Sequence, residues 1–79
     1  MLRRYIEAAM AQATFERLED GLYWGEIPGF QGVWAREPTI EKCREELEDV
    51  LSGWLLLGAS LGHELPVVAG IDLNFKKTA

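Results

Sequence analysis

His63, Cys43 and four carboxylates, Glu16, Glu19, Asp20 and Glu26, are the side chains here whose types could support catalysis. A general base needs an oriented partner and a pocket. His63, the only histidine, offers just a neighbouring Glu64 and follows Gly62, so it reads as a surface or helix-capping residue. A nucleophilic cysteine needs exposure and a lowered pKa. Cys43 falls on the apolar side of a helical segment, which makes it a core residue. Paired acids can hold a divalent metal or exchange protons. Metal-dependent nucleases use several converging carboxylates, whereas here only Glu16 and Glu26 share a strand face, which reads as solvated surface. Catalytic, cofactor and metal sites are therefore not expected. Trp24 and Trp34 carry more information. Two indoles on adjacent strands, facing away from the helix, leave an aromatic patch of the kind that marks a protein interface. Without basic neighbours it is a poor platform for stacking bases. The partner-binding assignment is Trp24, Trp34, Glu16 and Glu26, with Phe30 of the following bend counted among them.

The elements that must position these residues follow from hydrophobic spacing. Leu2, Tyr5, Ile6, Ala9 and Met10 recur at helical intervals and predict a short first helix. Ala13 to Leu18 and Leu22 to Ile27 predict a hairpin around Asp20-Gly21. A two-residue turn would pair Phe15 with Glu26. A three-residue loop with Gly21 left-handed puts Ala13, Phe15, Tyr23, Gly25 and Ile27 on one face and Glu16, Trp24 and Glu26 on the other, and is preferred because it sorts apolar from charged side chains. Pro28-Gly29 ends the second strand. Gly32 to Arg36 forms a third, with Val33 and Ala35 inward and Trp34 outward. Thr39 caps a long helix, with Glu41 in its first turn. Ile40, Cys43, Leu47, Val50, Leu51, Trp54, Leu57, Gly58 and Leu61 form its expected buried stripe, and Gly62 its stop. After Pro66, Ile71, Leu73 and Phe75 alternate with polar residues as a half-buried strand. The expected order is α-β-β-β-α-β: a three-stranded antiparallel sheet plus a fourth strand at an edge, packed on one long helix.

Seventy-nine residues make one domain, residues 1–79, with a thin core, since a chain this short buries only about 60% of its unfolded surface. Such domains often gain stability by oligomerising, so a homo-oligomer, dimer or larger, is expected. A hydrophobic content of 48% excludes the disordered class. The net charge is −5, and four of the eight basic residues lie near the ends, so direct nucleic-acid binding is not expected. The acidic body suits a basic protein partner. One cysteine permits no intrachain disulfide, which fits the cytoplasm. Ala11-Gln12-Ala13 looks like a cleavage site, but Tyr5 and Glu7 interrupt the apolar region a leader needs. No run approaches the ~18 apolar residues of a membrane span.

Phe15 to Trp54 resembles the HicB family of antitoxins. The matching residues are Glu19-Asp20-Gly21, Tyr23, Gly25-Glu26-Ile27-Pro28-Gly29-Phe30, Gly32-Val33-Trp34-Ala35, Thr39, Cys43-Arg44-Glu45, Leu47 and Trp54-Leu55, with Gly62-His63 and Leu65-Pro66 in the looser ending. The resemblance implies a partial RNase H-like α+β domain without the nuclease carboxylates. It also implies a non-enzymatic antitoxin that neutralises a small basic mRNA-cleaving toxin of the HicA type. Many members carry a C-terminal DNA-binding module. This chain ends at Ala79, just after the last expected strand, and resembles a short member without it. Its N-terminal helix is additional to the short pattern. Two alternatives stand beside this reading: an oligomeric interaction module of the same fold with an unrelated partner, and a hydrolase using Glu16, Glu26 or His63.

Overall fold

The computed structural model describes residues 2–74 of the chain. Helix α1 (Leu2–Ala11) leads into strands β1 (Thr14–Arg17), β2 (Tyr23–Glu26) and β3 (Trp34–Glu37), followed by helix α2 (Ile40–Ser60). The strands form one antiparallel sheet in the order β1-β2-β3. Two helices and a three-stranded antiparallel sheet make this a small α+β fold.

The hairpin has the three-residue loop. Phe15 pairs with Gly25, Glu16 with Trp24 and Arg17 with Tyr23. Leu18 and Leu22 close the loop through the Leu18 N–H and Leu22 carbonyl at 2.7 Å. Gly21 takes φ +86°, a conformation glycine adopts without a Cβ penalty. This register sends Phe15, Tyr23 and Gly25 toward α2 and leaves Glu16, Trp24 and Glu26 on the other side. Gly25 is required by close approach. A Cβ there would come within 2.9 Å of two Phe15 ring carbons and 3.0 Å of Cys43 Sγ.

Thr39 caps α2, its side chain accepting from the Lys42 N–H at 3.1 Å. Gly62, at φ +72°, carries the chain off the far end, with its N–H on the Ala59 carbonyl. The buried line of α2 is Cys43, Leu47, Leu51, Leu55 and Gly58. Val50 and Trp54 are half-buried, whereas Ile40, Leu57 and Leu61 are exposed, contrary to the stripe expected for them. From Cys43 to Leu55 the buried line advances in steps of four, so it drifts around a helix of 3.6 residues per turn. Only its earlier turns lie under the sheet. Its later turns lie under Leu65 and α1, which draw in Leu55 and Gly58 instead; the Leu65 side chain reaches within 3.0 Å of where a Gly58 Cβ would sit.

α1 packs beside α2. It buries Tyr5, Ala9 and Met10, and the Tyr5 hydroxyl donates to the Pro66 carbonyl at 2.5 Å. The expected fourth strand does not join the sheet among the described residues; Phe75 lies outside them. Ile71 instead folds back on Val68 through two backbone hydrogen bonds across Ala69-Gly70, both left-handed. The Asn74 side chain takes both backbone groups of Leu65, accepting from its N–H at 2.6 Å and donating to its carbonyl at 2.8 Å. A side-chain amide thus occupies the place of a strand partner, and Leu65 and Val68 close the end of the core.

Candidate partner-binding face

The sheet turns one face to α2 and the other to solvent. Strand alternation places Thr14 and Glu16, Trp24 and Glu26, and Trp34 and Arg36 on the outer face, two from each strand. Across β2 and β3, Trp24 stands opposite Arg36 and Glu26 opposite Trp34. The two indoles therefore meet on a diagonal. They stack with ring centroids 4.7 Å apart and an interplanar angle of 7°. Trp34 remains 48% exposed and Trp24 half-buried. Glu16, directly across from Trp24, and Glu26 are both exposed. Four of the five partner-binding residues read from the sequence, Trp24, Trp34, Glu16 and Glu26, thus lie on one face. α1 sits against α2 and does not cover it.

Phe30 is the correction. It is 4% exposed and belongs to the core. Left-handed Gly29 and Gly32 bracket it, the Phe30 N–H bonds to the Ile27 carbonyl, and the bend curls the ring inward. There it meets Trp54 edge-on at 5.3 Å and Tyr5 at 6.2 Å. The ring thus packs between the two helices in the core and lies off the outer face.

Arg36 was missed. Two residues beyond Trp34, it shares the outer face, a placement that strand alternation alone would have given. Its guanidinium pairs with Asp20 of the hairpin loop. Asp20 also accepts from the Leu22 N–H at 3.0 Å. These contacts hold its carboxyl below the usual range, the Leu22 N–H contributing most and Arg36 next. The face is thus a stacked indole pair flanked by exposed carboxylates on one side and by a closed ion pair on the other.

Cys43 is fully buried, its Sγ 3.5 Å from the Ala35 carbonyl and 3.6 Å from that of Tyr23. Desolvation pushes the thiol pKa up, away from a reactive thiolate. His63 is exposed at the exit of α2, where its N–H donates to the Gly58 carbonyl at 2.8 Å. Among the described residues no group of three or more His, Cys, Asp or Glu is arranged to hold a metal, and no helix is long and apolar enough to cross a membrane.

A second, apolar surface lies on the late turns of α2. Leu56 is 72% exposed and Leu57 and Leu61 each 60%. Beside Leu56 runs an open groove of about 340 Å³ between α1, α2 and the segment that follows α2, lined by Leu2, Ile6, Leu55, Ala59, Leu65 and Leu73 among others.

No curated protein matches the chain. Among solved structures, the crystal structure of TTHA0281 from Thermus thermophilus matches with a TM-score of 0.88 and 36% sequence identity, covering 96% of this chain and 95% of that one. The UPF0150-like family model matches residues 4–66, from α1 to Pro66. With likeness over nearly all of both chains and a family model spanning both helices and the sheet, the chain belongs to the UPF0150-like family.

Proposed function

We propose that this protein is a non-enzymatic, antitoxin-like binding protein that occludes a small basic mRNA-cleaving toxin of the HicA type. The observation that carries the reading is the open Trp24–Trp34 stack flanked by Glu16 and Glu26. Exposed aromatic area supplies affinity, and neighbouring carboxylates steer a basic partner. A net charge of −5 favours the same partner and disfavours direct contact with nucleic acid. The UPF0150-like family is related to HicB-like antitoxins, which agrees with the residue pattern from Phe15 to Trp54. The β-β-β-α run from β1 to α2 supports reading the domain as a partial RNase H-like core. Glu16, Glu26 and His63, on which the hydrolase reading relies, are all solvent-exposed, which does not favour it. The cytoplasm is the compartment that suits this function. The test is co-expression with the product of the adjacent gene, where that gene encodes a small basic protein. Rescue of growth and co-purification support the reading; a toxic neighbour that neither binds nor is neutralised overturns it.

Exposed Leu56, Leu57 and Leu61 favour a second reading, an oligomeric interaction module of the same fold with an unrelated partner. The two readings share the fold and differ in the surface engaged, the outer sheet face in the first and the late turns of α2 in the second.

A further inference from the structure

The outer face of β2 and β3 is a two-by-two lattice: Trp24 and Glu26 on one strand, Arg36 and Trp34 on the other. The indoles occupy one diagonal and stack. Glu26 and Arg36 occupy the other, with the indole wall between them, and Asp20 takes the Arg36 guanidinium. Among the described residues, Glu26 has no ion pair. At one end of the pair, Arg36 stands across from Trp24 with its guanidinium bound to the Asp20 carboxylate. The other end presents the same two groups, an indole and a carboxylate directly across from one another, without the cation. Next to it the P-G-F bend leaves an open concavity of about 540 Å³, bordered by Glu26, Pro28, Gly29, Gln31, Gly32 and Trp34.

We propose that Trp34, Glu26 and this concavity form a slot for an arginine side chain of a basic protein partner, an inference that rests on reading the outer face as the partner surface. The guanidinium lies against the Trp34 indole, its edge nitrogens donate to the Glu26 carboxylate, and its aliphatic stem rests in the concavity. Arginine fits better than lysine. Its planar cation can stack and bond a carboxylate through two parallel N–H groups, whereas an ammonium is a compact, strongly hydrated point charge. The chain uses aromatic–guanidinium contact elsewhere too: Arg44 sits over the Phe15 ring at 5.2 Å.

The probe is a blocked Gly-Gly-Arg-Gly-Gly peptide titrated into the whole 79-residue protein while backbone and indole N–H resonances are followed by NMR. Matched peptides carry lysine or citrulline in place of arginine. The expected result is saturable shifts at the Trp34 indole and at Glu26, with a dissociation constant on the order of 10 mM. The lysine peptide binds several-fold more weakly, and the neutral citrulline peptide does not bind. Glu26→Gln and Trp34→Phe, both at exposed positions and both checked for native spectra, each weaken the arginine peptide about fivefold or more. Glu41→Gln, on the first turn of α2, changes nothing. Equal response to arginine and lysine, with shifts spread over the acidic turns of α2, overturns the slot in favour of diffuse attraction. Absence of any shift at the corner overturns it as well. The parent reading fails separately. A basic protein partner that binds Glu26→Gln and Trp34→Phe as it binds the native chain removes the slot and keeps the antitoxin. Peptide binding at the corner without any toxin partner does the reverse.

Discussion

At the scale of single residues, Trp34 and Tyr5 make opposite use of aromatic area. Trp34 turns its ring to solvent. Its replacement by alanine is expected to weaken association with a basic partner by about 2 kcal/mol, as for a central desolvated tryptophan. Glu16→Gln/Glu26→Gln is expected chiefly to slow association and flatten its salt dependence. Affinity and stopped-flow measurements at two ionic strengths separate these effects; wild-type behaviour in every folded variant would take this face out of consideration. Tyr5 places its ring in the core and its hydroxyl on the Pro66 carbonyl. Burial, helped by the Asp72 charge, raises its pKa above the ordinary tyrosine value. A raised folded pKa means stability that is complete below the unfolded pKa of about 10 and is lost as pH climbs through the folded value. Tyr5→Phe should therefore cost about 1 kcal/mol at neutral pH, from the stranded carbonyl. That cost should shrink in alkali, where only the native protein must hold a phenol protonated. Urea unfolding of both proteins at neutral pH and above the ordinary tyrosine pKa of about 10 decides the matter, and a constant difference would speak against it. Most of the candidate face was legible at this scale, because the period of two in a strand separates Trp24 from Gly25 and Trp34 from Ala35 without knowledge of contacts. Phe30 was not, because it sits in a bend between left-handed glycines, where alternation no longer assigns a side.

At the scale of elements, α2 shows how far periodicity reaches. Over its first three turns the expected and observed buried residues coincide at Cys43, Leu47 and Leu51. Beyond them the neighbours decide: Leu65 and α1 bury Leu55, while Leu57 and Leu61 stay wet. Leu47→Ala is thus expected to destabilise by ~2–5 kcal/mol, and Leu57→Ala by no more than about 0.5 kcal/mol. Thermal or urea denaturation reads both, and comparable losses in the two variants would refute the drift. The tail was misread for a related reason. Ile71 and Leu73 have the spacing of a strand, but spacing does not name a partner. Here Ile71 pairs with Val68, and the Asn74 side chain takes the backbone groups of Leu65.

For the whole molecule, the distribution of unpaired and apolar surface points to association. Both outer strands, β1 and β3, leave an edge unpaired within the described residues, and unpaired edges invite pairing. Leu56, Leu57 and Leu61 add apolar area on another side of the domain. A dimer or larger assembly is expected, and multi-angle light scattering at tens of micromolar should give a mass well above the 8.9 kDa of one chain. A species of single-chain mass alone would reject it. The trace of this in the sequence was indirect. Chain length announced a thin core, but spacing had placed Leu57 and Leu61 inside, and only the packing shows that they are left over.

The junction of Gly25, Phe15 and Cys43 has a consequence for observing this protein in motion. The only thiol of the chain fills the space a Cβ at Gly25 would need, sealed between the sheet and α2. No modifying reagent can reach it until those two layers part. The rate at which a chromogenic disulfide reagent labels Cys43 under native conditions is therefore a clock for separation of sheet from helix. That rate should slow when a partner clamps the outer face, even though the partner never touches the sulfur. Labelling as fast as that of a free thiol in solution would mean the layers part far more often than a sealed core allows.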